Sequence, residues 1–121
     1  MTQEMEEWTE ERPWGRFKNL LELEHTKVKL IEVRPGQRLS YQSHDKRRES
    51  WTVVKGQALV VLDDEEHSLK VGDHIDIPVK SRHRLINPAE SLLHVIEVQT
   101  GSYFGEDDIK RYQDDFGRGE S

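Results

Sequence analysis

The stretch that decides the reading runs Gly36-Gln-Arg-Leu-Ser-Tyr-Gln42-Ser-His44-Asp-Lys-Arg-Arg48-Glu49-Ser-Trp51-Thr-Val53-Val-Lys-Gly56. Side chains two apart in a strand share a face, so Gln42 and His44 can aim at one point. Asp45 to Arg48 is too polar for a core strand and reads as a turn. Glu49, Trp51 and Val53 share a face of the strand that follows, and a turn folding it back brings Glu49 beside His44. An imidazole, a carboxylate and an amide oxygen are three of the donors a divalent metal takes. A second stretch, Gly72 to Asn87, supplies His83 as a fourth.

Outward from this centre, alternating apolar residues and frequent turn signals predict short strands near 16–23, 27–33, 38–44, 49–55, 57–62, 66–71, 74–77, 83–86 and 92–99. On the second of these, Lys27, Lys29, Ile31 and Val33 share one face. Glu97 and Gln99 are a polar pair on an otherwise apolar strand, so they face either solvent or a working interior. Ile109, Tyr112 and Phe116 stand at helical spacing behind a cluster of acids, with Gly117 placed to cap. A short C-terminal helix over 105–117 is therefore expected. The whole is all-β apart from that helix, a single-domain jelly-roll barrel.

Composition sets the bounds. A chain of 121 residues holds one core. With 33% hydrophobic and 35% charged residues, that core must be small, which suits strands with one face in solvent. The net charge of −6 disfavours a broad nucleic-acid surface. No apolar run reaches the length of a membrane span and the acidic start is unlike a signal peptide. Having no cysteine excludes thiolate ligands and fits a cytoplasmic setting. The expected layout is a flexible acidic arm over 1–11, a domain over 12–118 and a tail over 119–121.

Gly36, His44, Glu49 and Gly56, followed by Gly72, Pro78, His83 and Asn87, keep the spacing of the paired motifs of the cupin superfamily, which the chain resembles. It departs from them twice: Gln42 stands where a first His is usual, and Lys80 stands where a Gly is usual. The likeness then narrows. Arg12-Pro-Trp-Gly15, the blocks around His44 and Trp51, His83-Arg-Leu-x-Asn-Pro88, Ile96-Glu-Val-Gln-x-Gly-x-Tyr, Gly105-Glu-Asp-Asp-Ile-x-Arg111 and Asp114-x-x-Gly-Arg118 run in one order. They resemble the type II phosphomannose isomerase domain, usually the C-terminal part of bifunctional mannose-1-phosphate guanylyltransferase/phosphomannose isomerases. Family members carry a His-rich segment after the ligating His, whereas this chain has Asp45 and Lys46, with Arg48 and Ser50 beyond.

The resemblance implies one divalent metal ion (Zn, Mn, Fe, Co or Ni) on Gln42, His44, Glu49 and His83. It implies a sugar-phosphate substrate and interconversion of mannose 6-phosphate and fructose 6-phosphate through an enediol. Glu49 and Glu97 are the candidate catalytic bases. Arg47, Lys80 and Arg84 are the candidate substrate-binding cations, although alternation sends Arg84 to the face opposite His83. Related cupins pair through strands, so a homodimer is implied, with no nucleic-acid or membrane partner. The rival readings are a non-catalytic metal- or sugar-binding cupin and, with less support, a metal-dependent dioxygenase.

Overall fold

The computed structural model describes residues 7–113, which form eleven strands and one turn of 3-10 helix. The strands are β1 (Glu10–Arg12), β2 (Gly15–Glu22), β3 (Thr26–Val33), β4 (Tyr41–Ser43), β5 (Arg47–Lys55), β6 (Gln57–Leu62), β7 (Glu65–Lys70), β8 (His74–Ile77), β9 (His83–Ile86), β10 (Leu93–Gly101) and β11 (Lys110–Gln113). One sheet runs β1-β2-β3-β10-β5-β8 and the other β11-β4-β9-β6-β7, with every pairing antiparallel. Among the described residues no helix is long and apolar enough to cross a membrane.

The register shows where the core ends and the site begins. On the inward face of the larger sheet, Leu93 lies opposite Val33, and Val95 lies between Ile31 and Val53. One layer further, Glu97 lies between Lys29 and Trp51, and next Gln99 lies beside Glu49. A single inward stripe on each of β3, β5 and β10 is thus apolar at one end of the barrel and polar at the other. The apolar layers pack with Val60, Leu85 and Ile77 into one buried cluster that includes Trp14 and Trp51. This burial drives the fold, and the polar layers are the part of the interior it does not need.

Two expectations require correction. The C-terminal helix does not form over the described part of 105–117. Glu106–Asp108 makes one 3-10 turn and β11 then pairs with β4, Arg111 opposite Gln42 and Lys110 opposite Ser43. Phe116 and Gly117 lie outside the described residues. A short isolated helix is marginal, whereas the open edge of β4 offers a ready ladder, so tertiary pairing overrides local spacing. Tyr112 joins this arrangement through Ser43 Oγ, 3.0 Å from its hydroxyl, and the ring of Tyr41.

The polar run before Glu49 is the second correction. β5 begins at Arg47, which shares the inward face with Glu49, Trp51 and Val53 and is buried. Polarity suggested a turn, but the guanidinium has buried partners and so tolerates the interior. At the other end of the chain, Glu10 and Glu11 of the acidic arm pair with β2. Trp8 stacks under the Arg16 guanidinium, 4.1 Å from the ring centre.

The turn between β8 and β9 carries the second motif departure. Lys80 has φ +69°, the left-handed conformation that favours the usual glycine, and its N–H donates to His44 O at 2.6 Å. The bond ties the turn to the strand end bearing His44, which explains why the conformation is kept. Lys80→Gly should therefore raise stability by roughly 0.5–1 kcal/mol, the relief of left-handed strain less the added entropy of the unfolded chain. Urea unfolding checks this; a loss of stability would mean that the Lys80 side chain itself supports the turn.

Candidate metal centre

His44, Glu49 and His83 come from both sheets and meet inside the barrel. Glu49 projects inward from β5, His83 opens β9, and His44 follows β4. One donor atom from each lies within 4.8 Å of the others. His44 Nε2 is 3.4 Å from Glu49 Oε2, and His83 Nε2 is 3.5 Å from Glu49 Oε1. All three side chains are buried.

Backbone carbonyls set both imidazoles. His44 Nδ1 donates to Asp108 O and His83 Nδ1 to Ser81 O, each at 3.0 Å. A carbonyl can only accept, so the proton sits on Nδ1 and the lone pair of Nε2 faces the cluster, as metal-ligating histidines require. The 3-10 turn braces this further: the Asp108 carboxylate accepts from the N–H groups of Asp45 (3.1 Å) and Lys46 (2.9 Å). An acid read in the sequence as a helix starter thus holds the loop that presents His44.

Electrostatics favour neutral ligands. Burial lowers His44 to about 4, helped by Arg47 and His83. Burial lowers His83 to about 4 as well, outweighing the Ser81 carbonyl and Glu97. Both imidazoles are therefore uncharged near neutral pH. Glu97 shifts the other way: burial, then the Glu49 carboxylate, raise it, although Lys29, Arg47 and Trp51 pull it down.

Arg47 reports on the cluster's preference. Its Nε donates to Glu49 Oε2 at 3.0 Å, its Nη2 to His44 Nε2 at 3.2 Å, and its Nη1 to Phe104 O at 3.3 Å. Lone pairs of two candidate ligands thus already receive a cation. The donor set, two neutral imidazoles and a carboxylate, fits a divalent metal of the zinc, manganese, iron, cobalt or nickel type. A metal on His44 Nε2 and Arg47 Nη2 compete for one lone pair, so loading must break that hydrogen bond.

The cluster lies in a cavity open to solvent, whose wall includes Gln42, Glu97, Gln99, Lys29, Arg111 and Arg12. Gln42, the fourth candidate donor, lies beside His83 in the ladder and lines the same cavity. Trp51 Nε1 donates to Glu97 Oε2 and Gln99 Nε2 to Glu97 Oε1, both at 2.8 Å. The expected cations are not all here. Lys80 is exposed and outside the wall. Arg84 points away from the cavity and donates to Leu39 O at 2.7 Å and to Gln113. Strand alternation is the reason, since it puts His83 and Arg84 on opposite faces. Sequence reasoning passed over Lys29, although its place two residues before Ile31 and four before Val33 already put it on the inward stripe.

The depressed histidines make stability depend on acid. Unfolded imidazoles bind protons from about 6.5 downward and the folded ones only near 4. Chelator-treated protein should thus lose stability as pH falls from about 6.5 to about 4, by up to roughly 3 kcal/mol per imidazole. Glu97 opposes part of this: its contribution is complete below its unfolded value of 4.5 and fades as pH rises through its raised folded one. Two imidazoles against one carboxyl should leave a net loss on acidification. Urea midpoints between pH 7 and 4.5 test it, and a flat profile would contradict neutral burial.

Two facing antiparallel sheets closed around an inward His–Glu–His cluster define a cupin. KdgF from Halomonas sp. has the same fold, with TM-score 0.75 and 19% identity over 84% of this chain and 89% of that one. The family model for the mannose-6-phosphate isomerase C-terminal domain matches residues 2–114, and the chain belongs to that family. Among its relatives, alginate biosynthesis protein AlgA of Pseudomonas aeruginosa is 48% identical over 107 residues, covering 88% of this chain and 22% of AlgA. Mannose-1-phosphate guanylyltransferase ManC of Salmonella typhimurium is 43% identical over 107 residues, covering 88% of this chain and 22% of ManC. The chain thus spans about a fifth of these relatives' length.

Proposed function

We propose that this domain is a metal-dependent aldose–ketose isomerase of sugar phosphates, interconverting mannose 6-phosphate and fructose 6-phosphate. The observation that carries the reading is the juxtaposition, in one polar cavity, of the buried His44–Glu49–His83 cluster and a separate carboxyl, Glu97, raised by burial. The family and the guanylyltransferase name of a relative support mannose phosphates as the substrate class. His44, Glu49 and His83 would hold a divalent ion, with Gln42 beside them, and when bound it supplies Lewis acidity toward the oxygens on C1 and C2.

The proton must move between two adjacent carbons. Both Glu49 oxygens face imidazoles and one also holds Arg47, so Glu49 is committed to the cluster. Glu97 is therefore the base: it takes the proton from one carbon and returns it to the other while the hydroxyl proton passes between O1 and O2, and its raised affinity for protons suits both directions. Trp51 and Gln99 fix its carboxyl in place. Arg47 positions the ligands, because each of its three nitrogens already donates, to Glu49, Phe104 O and His44.

The test is turnover of mannose 6-phosphate by metal-loaded protein in a coupled assay. Glu97→Gln should lower kcat by at least about 100-fold while metal content is unchanged, the scale of a lost general base. A non-catalytic binding cupin is the second reading, favoured by one observation: both Glu97 oxygens already accept hydrogen bonds from the protein. Absence of turnover with every metal of the set would decide for it.

A further inference from the structure

Three polar groups on the cavity wall are left over after the cluster and Glu97 are accounted for. Lys29 is 9% exposed and lies over the Phe17 ring at 4.4 Å; its charge acts on Glu97 opposite it in the ladder, but among the described residues no hydrogen bond or ion pair holds its ammonium. Among the described residues, Arg111 Nε is buried without a partner and Gln99 Oε1 is a buried acceptor that receives nothing. Buried polar groups, above all charged ones, are normally satisfied, so Arg111 Nε and Gln99 Oε1 each call for a complementary atom, and the Lys29 ammonium on the same wall calls for an acceptor. Lys29 and Arg111 have only donors to offer, and Gln99 Oε1 can only accept.

The missing ligand must therefore combine an anion rich in acceptor oxygens with a hydroxyl that donates. We propose that Lys29 of β3 and Arg111 of β11, one from each sheet, bind the phosphoryl group of a phosphorylated polyol, and that Gln99 Oε1 accepts from one of its hydroxyls. The inference rests on the sugar-phosphate reading and deepens it by placing the phosphate inside the cavity instead of on Lys80 or Arg84. Phosphate suits the pair because its oxygens accept charge-assisted bonds from ammonium and guanidinium together. Arg12 stands at the same wall, but its Nη1 is held by Glu10 at 2.6 Å.

The experiment pairs binding with kinetics on the metal-loaded chain. Calorimetry measures mannose 6-phosphate, mannose and inorganic phosphate against the wild type, Lys29→Met and Arg111→Met. The wild type should bind mannose 6-phosphate more tightly than mannose, and inorganic phosphate should compete. Each variant should weaken mannose 6-phosphate about 10- to 100-fold and leave mannose unchanged, as for a lost charge-assisted contact. In turnover the loss should fall on KM with kcat nearly kept. A Lys29 that only balances Glu97 would shift the pH profile of kcat and leave the preference for phosphate intact.

Less than about a threefold change in either variant, or equal wild-type affinity for mannose and mannose 6-phosphate, overturns the subsite. The outcomes separate it from the isomerase reading. Phosphate binding lost in the variants without any wild-type turnover keeps the subsite and removes the isomerase; turnover with unchanged KM does the reverse. Should Lys29→Met fail to fold, Arg111→Met, on a half-buried edge strand, carries the same readouts.

Discussion

His83→Ala is expected to leave a folded barrel that no longer retains metal and no longer turns over sugar phosphate. His83 is one of three donors, and its Nε2 faces Glu49 Oε1 at 3.5 Å. Loss of a group that merely orients a ligand costs about 10- to 100-fold in metal affinity, so loss of the ligand itself should exceed about 100-fold. The fold should survive because His83 lies at the polar end of β9, while Leu85 of the same strand anchors the apolar cluster. Elemental analysis beside circular dichroism checks both halves. One metal per chain in a folded variant would place the ion elsewhere.

Trp51→Ala should produce the largest loss of stability, about 3–5 kcal/mol, as for other buried large aromatics. Trp51 is 2% exposed and forms the floor between the apolar cluster and the metal centre, with its ring edge-on to His83 at 5.5 Å. Its removal opens a cavity and also strips Glu97 Oε2 of its hydrogen bond from Trp51 Nε1 at 2.8 Å. Trp51→Phe separates the two effects. It keeps most of the packing, so the remaining loss of about 1–3 kcal/mol reports the unpaired carboxyl. A loss below about 1 kcal/mol in Trp51→Ala would be the scale of a surface change and would contradict this burial.

Much of this architecture was legible because a strand has a period of two. That period put Gln42 with His44, Glu49 with Trp51 and Val53, and Glu97 with Gln99, and it separated Arg84 from His83. Glycine and proline marked the turns, and even the departure at Lys80 marked a position whose backbone takes the left-handed form. His44, Glu49 and His83 suggested a shared site through the resemblance of their two stretches to the paired cupin motifs, which hold each at a fixed position on a short strand or strand end.

Local pattern could not decide which partners a polar residue would find. Arg47 looked like part of a turn, yet the interior accepts it because Glu49, His44 and Phe104 supply its bonds from three places in the chain. Ile109 and Tyr112 had helical spacing, but the unpaired edge of β4, contributed from about seventy residues away, drew the segment into a strand. Lys29 and Arg111 carried no assigned role in the sequence, and only closure of the two sheets brought both to the wall of one cavity. The sequence by itself determined which face each side chain takes, since alternation is a property of the backbone. Only the tertiary structure decided which of those faces meet and which charges go unanswered there, because burial and long-range pairing set the environment of every polar group.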